Sequence, residues 1–228
     1  MYKYCLSILM FLLLSGCGTS PELISASPNL EDVWPTHVVN TLNAYTGVTK
    51  PVIRIKSFVS RSHLGLLWNH GSAFFVEDKG VHYLVTSYHV VENSTIFEFS
   101  THDYKPLDVK VEQMYIMPTI DVAVFKITSV SAKYTPYKMG VVEMCHNTTA
   151  IGFPKGEVYV EKKGIVLRNS IATSNEIEVG MSGGPLLNDK KEVVGVTLQK
   201  RVDGSAERGM FGKIQDVFTL IDIENGTK

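Results

Sequence analysis

From Pro51 to Ile223 the chain is a series of short runs rich in β-branched and aromatic residues, each broken by glycine, asparagine or a charged pair. That texture constrains the fold more than anything else in the sequence. Strands are expected near 52–57, 71–77, 81–86, 95–99, 107–114 and 122–128, and again near 148–152, 158–167, 177–179, 184–187, 192–198 and 210–214. A connector covers 129–139, and 217–223 closes the chain as a helix. No run repeats at a fixed period, and none is long and helical enough to cross between parallel strands. The expected fold class is therefore all-β: two sets of about six short antiparallel strands, packed together as two barrels or two sandwiches with a cleft at their junction.

Composition matters here mainly for what it excludes. The 228 residues carry 22 basic and 23 acidic side chains, a formal net charge of −1, so no overall field draws nucleic acid to the chain. At 44% hydrophobic residues the chain reads as globular. No histidine or cysteine pair has zinc-ligand spacing, and no glycine-rich run ends in Gly-Lys-Ser/Thr. Neither a metal nor another cofactor is expected.

The first residues are a targeting segment. Lys3 precedes an apolar run, Leu6 to Leu14, too short to span a bilayer as a helix of about 20 residues. Its end, Leu14-Ser15-Gly16-Cys17, resembles the lipobox of bacterial lipoproteins. The resemblance implies cleavage after residue 16 and a lipid on Cys17. With Gly18 following, in place of aspartate, it implies the outer membrane, facing the periplasm. Residues 17–49 then form a tether rich in proline and serine and a short helix from Trp34 to about Tyr45. Cys5 leaves with the signal and Cys17 is acylated, so Cys145 has no disulfide partner. It is expected to be a buried structural cysteine, the alternative being a nucleophile beside His146.

The chemistry centres on Gly180-Met181-Ser182-Gly183-Gly184-Pro185. Serine needs a base to take its proton and donors for the oxyanion its attack creates. Glycines around it free the backbone to aim the N–H groups of Gly180 and Ser182 at one point. A base is available at His89, just past the strand 81–86. Asp121 heads the apolar run Val122-Ala123-Val124-Phe125, where a charge costs desolvation unless something pairs with it. It is either a strand-start carboxylate capped by nearby amides or the partner of a second polar group.

Taken together, Thr86-Ser87-Tyr88-His89-Val90-Val91, Asp121-Val122-Ala123-Val124 and the serine hexapeptide resemble the His, Asp and Ser motifs of trypsin-like serine proteases, in that family's chain order. The likeness is to the HtrA/Deg branch of envelope proteases. Gly71-Ser72-Ala73-Phe74-Phe75-Val76 is similar to its first-barrel strand and Ala150-Ile151-Gly152-Phe153-Pro154 to its Gly-x-Pro segment. The resemblance covers about Pro51 to Ile223 and implies a protease domain over 50–228 made of two packed six-stranded antiparallel β-barrels, barrel one near 50–130 and barrel two near 140–228. It implies His89 as general base, Asp121 as the acid that orients it, Ser182 as nucleophile, and Gly180 and Ser182 as oxyanion donors. Protein or peptide substrates follow.

Three residues depart from the pattern: Tyr88 is bulky, Met181 stands where the branch has Asn, and Ser174 where it tends to have Asp. The substrate pocket would be built from Glu176, Ile177, Thr197, Leu198 and Gln199. Glu176 is either an acid at the pocket floor or solvent-exposed. After Ser182 only 46 residues remain (228 − 182), too few for the PDZ domain such proteins carry. Three readings stay open: a lipid-anchored serine endopeptidase, an inactive protease-fold module that holds a peptide or envelope partner, or an unrelated structural β-lipoprotein with chance motifs.

Overall fold

A computed structural model describes residues 44–62, 65–167, 172–203 and 206–226. The signal segment, Cys17 and most of the expected helix from Trp34 lie outside these residues.

The first sheet contains β1 (Val52–Ser62), β2 (Gly65–Asp78), β3 (Val81–Ser87), β4 (Phe97–Ser100), β5 (Pro106–Leu107), β6 (Val109–Met117) and β7 (Val122–Val130). These strands lie in the order β5-β4-β1-β2-β3-β7-β6, and every pairing is antiparallel. The second sheet contains β8 (Asn147–Gly152), β9 (Val160–Ile165), β10 (Ala172–Thr173), β11 (Pro185–Leu187), β12 (Val193–Asp203) and β13 (Ala206–Lys213). Its order is β10-β13-β12-β11-β8-β9. Among the described residues two α-helices accompany the sheets, α1 (Tyr88–Val91) and α2 (Ile214–Glu224). The all-β, two-barrel expectation holds, with seven strands in place of six in the first sheet because β5 adds a two-residue edge.

Alternation explains why the central strands are apolar on both faces. In β3 and β7, Leu84, Ala123, Phe125 and Ile127 point into barrel one, while Tyr83, Val85, Val122 and Val124 point toward the second sheet. The outward set packs on Ile151, Phe153, Leu187, Val193 and Val196 and on the buried stripe of α2. That stripe is Ile214, Val217, Phe218 and Ile221, the i, i+3, i+4, i+7 spacing of one helix face. Phe74, Phe75 and Phe125 are fully buried, each stabilising the fold by roughly 2–3 kcal/mol. The β2–β3 turn falls at Lys79 and Gly80, both at positive φ, the twist a two-residue hairpin needs.

Two expectations need correction. Residues 177–179 are not a strand. Ile177 is buried in the core of barrel two, but the segment turns at 179–180 and leaves the ladder. Cys145 is exposed: it occupies a turn at φ 64 beside the half-exposed Met144, with its N–H bonded to the Val166 carbonyl. Residue type argued for burial, and turn position decided against it. Tyr45, at the edge of the expected N-terminal helix, is non-helical.

Candidate active site

The pairing of β3 with β7 ends at Ser87–Val122, so the residues just beyond the last rung, His89 and Asp121, are brought together by register. The first link is backbone, Tyr88 N–H to Asp121 O at 3.0 Å. Asp121 then turns into the left-handed region, φ 54, a conformation costing of the order of 1 kcal/mol for a residue with a side chain. The turn swings its carboxylate over α1. There Oδ1 accepts the His89 backbone N–H at 2.9 Å and Oδ2 meets His89 Nδ1 at 2.7 Å. Asp121 is thus the partner of a polar group, and its grip on both backbone and ring fixes the imidazole with Nδ1 protonated and Nε2 free.

Ser182 comes from the opposite barrel, on the turn before β11. Its neighbour Met181 is fully buried in the barrel-two core, which anchors the turn and accounts for an apolar residue before the serine. Thr197, also buried, donates its hydroxyl to the carbonyls of Met181 and Gly184 at 2.7 and 3.0 Å. Gly183 N–H reaches Thr197 O at 2.7 Å. Gly183 has φ +85, and a Cβ there would strike Ser72 O and Thr86 Oγ1, so glycine is required. The two barrels are tied across this point by Ser72 N–H to Ser182 O at 2.8 Å and Ser87 Oγ to Thr197 O at 3.0 Å.

The Ser182 hydroxyl donates to Leu198 O at 2.6 Å. It shares with His89 a cleft of about 540 Å³, lined also by Lys155, Glu176, Ile177, Glu178 and Val179. The peptide before Gly180 is held by Lys155 N–H, which donates to Val179 O at 2.7 Å, while Gly180 O accepts the Ser72 hydroxyl at 2.8 Å. In a trans peptide N–H and C=O point in opposite directions, so with Val179 O turned to Lys155 the Gly180 N–H faces away from the Phe153–Gly156 turn. Among the described residues neither Gly180 N–H nor Ser182 N–H donates to any group of the chain.

The five pocket residues expected from sequence divide. Ile177 lines the cleft, and Leu198 holds the Ser182 hydroxyl through its carbonyl without lining the cleft itself. Thr197 braces the loop from behind. Gln199 lies in β12, and its side chain is outside the described residues. Glu176 is exposed and pairs with Lys162 at 2.9 Å; Glu178 pairs with the same ammonium at 3.0 Å. Donating to both carboxylates raises the Lys162 pKa. Glu176 is thus a rim residue with a counter-ion and not a bare acid at a pocket floor. Among the described residues no cluster of three His, Cys, Asp or Glu is placed to hold a metal ion.

A model of the trypsin-like peptidase domain matches residues 71–196, more than half of the chain. The chain belongs to the trypsin-like peptidase domain family. This trypsin-like domain is 31% identical over 142 residues to the periplasmic serine endoprotease DegP of Escherichia coli, covering 55% of the chain and 29% of the relative. It is 25% identical over 220 residues to the chloroplastic Protease Do-like 1 of Arabidopsis thaliana, covering 82% of the chain and 49% of the relative. A probable periplasmic serine endoprotease, DegP-like, of Chlamydia muridarum matches at 29% over 139 residues, or 55% and 27%. The chain spans about half or less of the length of these relatives.

Residues that sequence reasoning did not assign also shape this trypsin-like site. Ser72 bridges the barrels, its hydroxyl donating to Gly180 O and accepting Phe153 N–H at 3.1 Å. Arg54, 3% exposed, donates to the carbonyls of Gly156 at 2.9 Å, Glu157 and Thr101. It thereby fixes the turn that carries Lys155. A guanidinium inside Val52-Ile53-Arg54-Ile55 was the available signal, since a charge in a buried strand needs partners.

Proposed function

We propose that the chain is a serine endopeptidase of the bacterial envelope that hydrolyses peptide bonds of protein substrates through an acyl-enzyme on Ser182. The observation that carries the reading is one cleft holding Ser182 and a His89 ring already oriented by Asp121 at 2.7 Å, with two uncommitted amides on the serine turn.

The steps follow from those atoms. Ser182 Oγ turns from Leu198 O toward His89 and gives its proton to Nε2 as it attacks the substrate carbonyl. The N–H groups of Gly180 and Ser182 receive the oxyanion, each donor being worth roughly 3–4 kcal/mol in such sites. His89 returns the proton to the leaving amine, and the C–N bond breaks. Water then enters and its oxygen bonds to the acyl carbon as His89 takes its proton; the acyl–oxygen bond to Ser182 breaks, and His89 returns the proton to Oγ. Asp121 keeps the proton on Nδ1 throughout and balances the imidazolium. No cofactor takes part.

Envelope location is supported by the lipobox-like end at Cys17 and by relatives named periplasmic. The reading includes a signal peptide over 1–16 and a lipid anchor on Cys17 in the outer membrane. Growth of an expressing bacterium with labelled palmitate tests it: label on the wild type and none on Cys17→Ser supports the anchor, and equal label on both removes it.

A fluorophosphonate probe on the full chain, beside a Ser182→Ala control, tests the chemistry. Labelling of the wild type alone is expected. Labelling of both proteins, or of neither, would overturn it. A second reading, a protease-fold module that binds a peptide in the cleft without turnover, draws on the Ser182 hydroxyl being donated to Leu198. It predicts no cleavage of unfolded protein and peptide affinity equal in Ser182→Ala.

A further inference from the structure

A second cavity, about 370 Å³, opens beside the cleft on barrel one, and Lys155 lines both. Its base is the β4–β1–β2 ladder, where Lys56 has Glu98 and His70 as cross-strand partners. Arg54, two residues earlier on β1, shares that face. The lining therefore sets three cations, Arg54, Lys56 and Lys155, against one carboxylate, Glu98.

None of the three cations forms an ion pair among the described residues. Arg54 spends its donors on backbone carbonyls and stacks on Tyr104 at 3.6 Å. Carbonyl dipoles satisfy its N–H groups without cancelling its charge, so a positive potential remains in a partly dry pocket. The His70 ring at the rim responds to it: burial first, then the Lys56 charge, lower its pKa, with Glu98 opposing.

We propose that this cavity is a subsite for an acidic side chain of the substrate, aspartate or glutamate, on the leaving-group side of the scissile bond. The proposal rests on the serine-endopeptidase reading. Ile177 and Val179 belong to the segment that carries Ser182 and the oxyanion amides, so the acyl half of the substrate packs against them. An extended chain crosses the cleft in one direction, and its other half leaves past Lys155 into the second cavity. A carboxylate arriving there meets the Lys56 and Lys155 ammonium groups in reach and the Arg54 charge behind them. Specificity for acidic residues follows from charge that the fold itself leaves unpaired.

Paired fluorogenic peptides test it, identical except for Glu or Gln at the second and third positions after the cleaved bond. Within each protein the ratio of kcat/KM for Glu over Gln is the readout, so a general loss of activity cancels. The full chain should favour Glu by about tenfold at low salt, and Lys56→Glu should bring the ratio to one or below and favour a Lys peptide. A wild-type ratio near one, or a preference that Lys56→Glu leaves intact, overturns the proposal. If no peptide is cleaved, the endopeptidase reading falls, and anisotropy of the same peptides on Ser182→Ala still decides the cavity. Tighter binding of the Glu peptide, lost on adding Lys56→Glu, supports it, and equal binding of Glu and Gln peptides overturns it.

Discussion

The hydroxyl of Ser182 and the carbonyl oxygen of Leu198 lie 2.6 Å apart, so the oxygen proposed as nucleophile is held at rest by strand β12. One such bond contributes about 1 kcal/mol net, and turning Oγ toward His89 slows the reaction by no more than about tenfold. Removing the hydroxyl should therefore separate catalysis from folding. Ser182→Ala is expected to lower kcat by roughly a million-fold and to shift the unfolding free energy by about 1 kcal/mol. Peptide hydrolysis beside a denaturant titration checks both. Activity retained in this variant would place the nucleophile elsewhere.

Asp121 accepts from His89 at two points, 2.9 Å to the backbone N–H and 2.7 Å to Nδ1. Asn would keep one acceptor and turn an NH2 toward the other contact. If that NH2 faces the ring, Nδ1 must accept, and the proton moves to Nε2, where the base has to be free. Asp121→Asn should make turnover about ten-thousand-fold slower, with KM within a few-fold. Steady-state kinetics at neutral pH decide the matter. A loss carried by KM would mean that Asp121 serves substrate binding.

How much of this could be read from the chain depends on sequence distance. His89 and Asp121 are legible because each ends a strand of strong apolar character and the antiparallel register brings strand ends together. The serine turn is legible because only glycine tolerates φ +96 and +85 at Gly180 and Gly183. Ser72 and Arg54 are not legible in this way, since their partners at Gly180 and Gly156 lie 108 and 102 residues away and are met only when the barrels pack. Ile177 and Val179 alternate with acids like a strand, yet the turn at Gly180 pulls them off the ladder. Burial of Ile177 and exposure of Val179, 84%, then come from the loop path and not from a pleat.

Packing around His70 and the nearby Lys56 ammonium lower its pKa from the ordinary value of 6.5. A histidine lowered on folding binds its proton less well folded than unfolded. Its contribution to stability is complete above pH 6.5 and declines as pH falls below it. Removing the Lys56 charge should raise the His70 pKa toward the ordinary value. An NMR titration of the ring protons in wild type and Lys56→Gln measures the change. A pKa that stays put or falls would show that Lys56 does not reach the ring.

Gly180 sits at φ +96, and a Cβ there would lie 2.6 Å from Lys155 N and 2.5 Å from Phe153 O. Gly180→Ala must move the peptide whose N–H is proposed as one oxyanion donor. Turnover should slow by roughly a hundred- to a thousand-fold, the usual result of losing one such donor, with KM little changed. Single-turnover acylation rates report it directly. An unchanged acylation rate would remove Gly180 N–H from the site.

Arg54 acts on the same peptide from a distance. Its guanidinium holds Gly156 O and Glu157 O, that turn places Lys155 N, and Lys155 N fixes Val179 O at 2.7 Å. Arg54→Ala removes the donor to the Gly156 and Glu157 carbonyls, leaves Thr101 O with the Tyr104 N–H, and should cost about 3 kcal/mol of stability. Arg54→Lys keeps the charge but not the fork, so it should recover only part. At temperatures well below unfolding, kcat should still fall by about tenfold, by the argument that a displaced oxyanion donor weakens transition-state binding. The double-mutant cycle with Gly180→Ala separates positioning from mere destabilisation. If Arg54 works through the Val179–Gly180 peptide, its loss adds little to the kcat defect of Gly180→Ala, whereas independent effects would multiply.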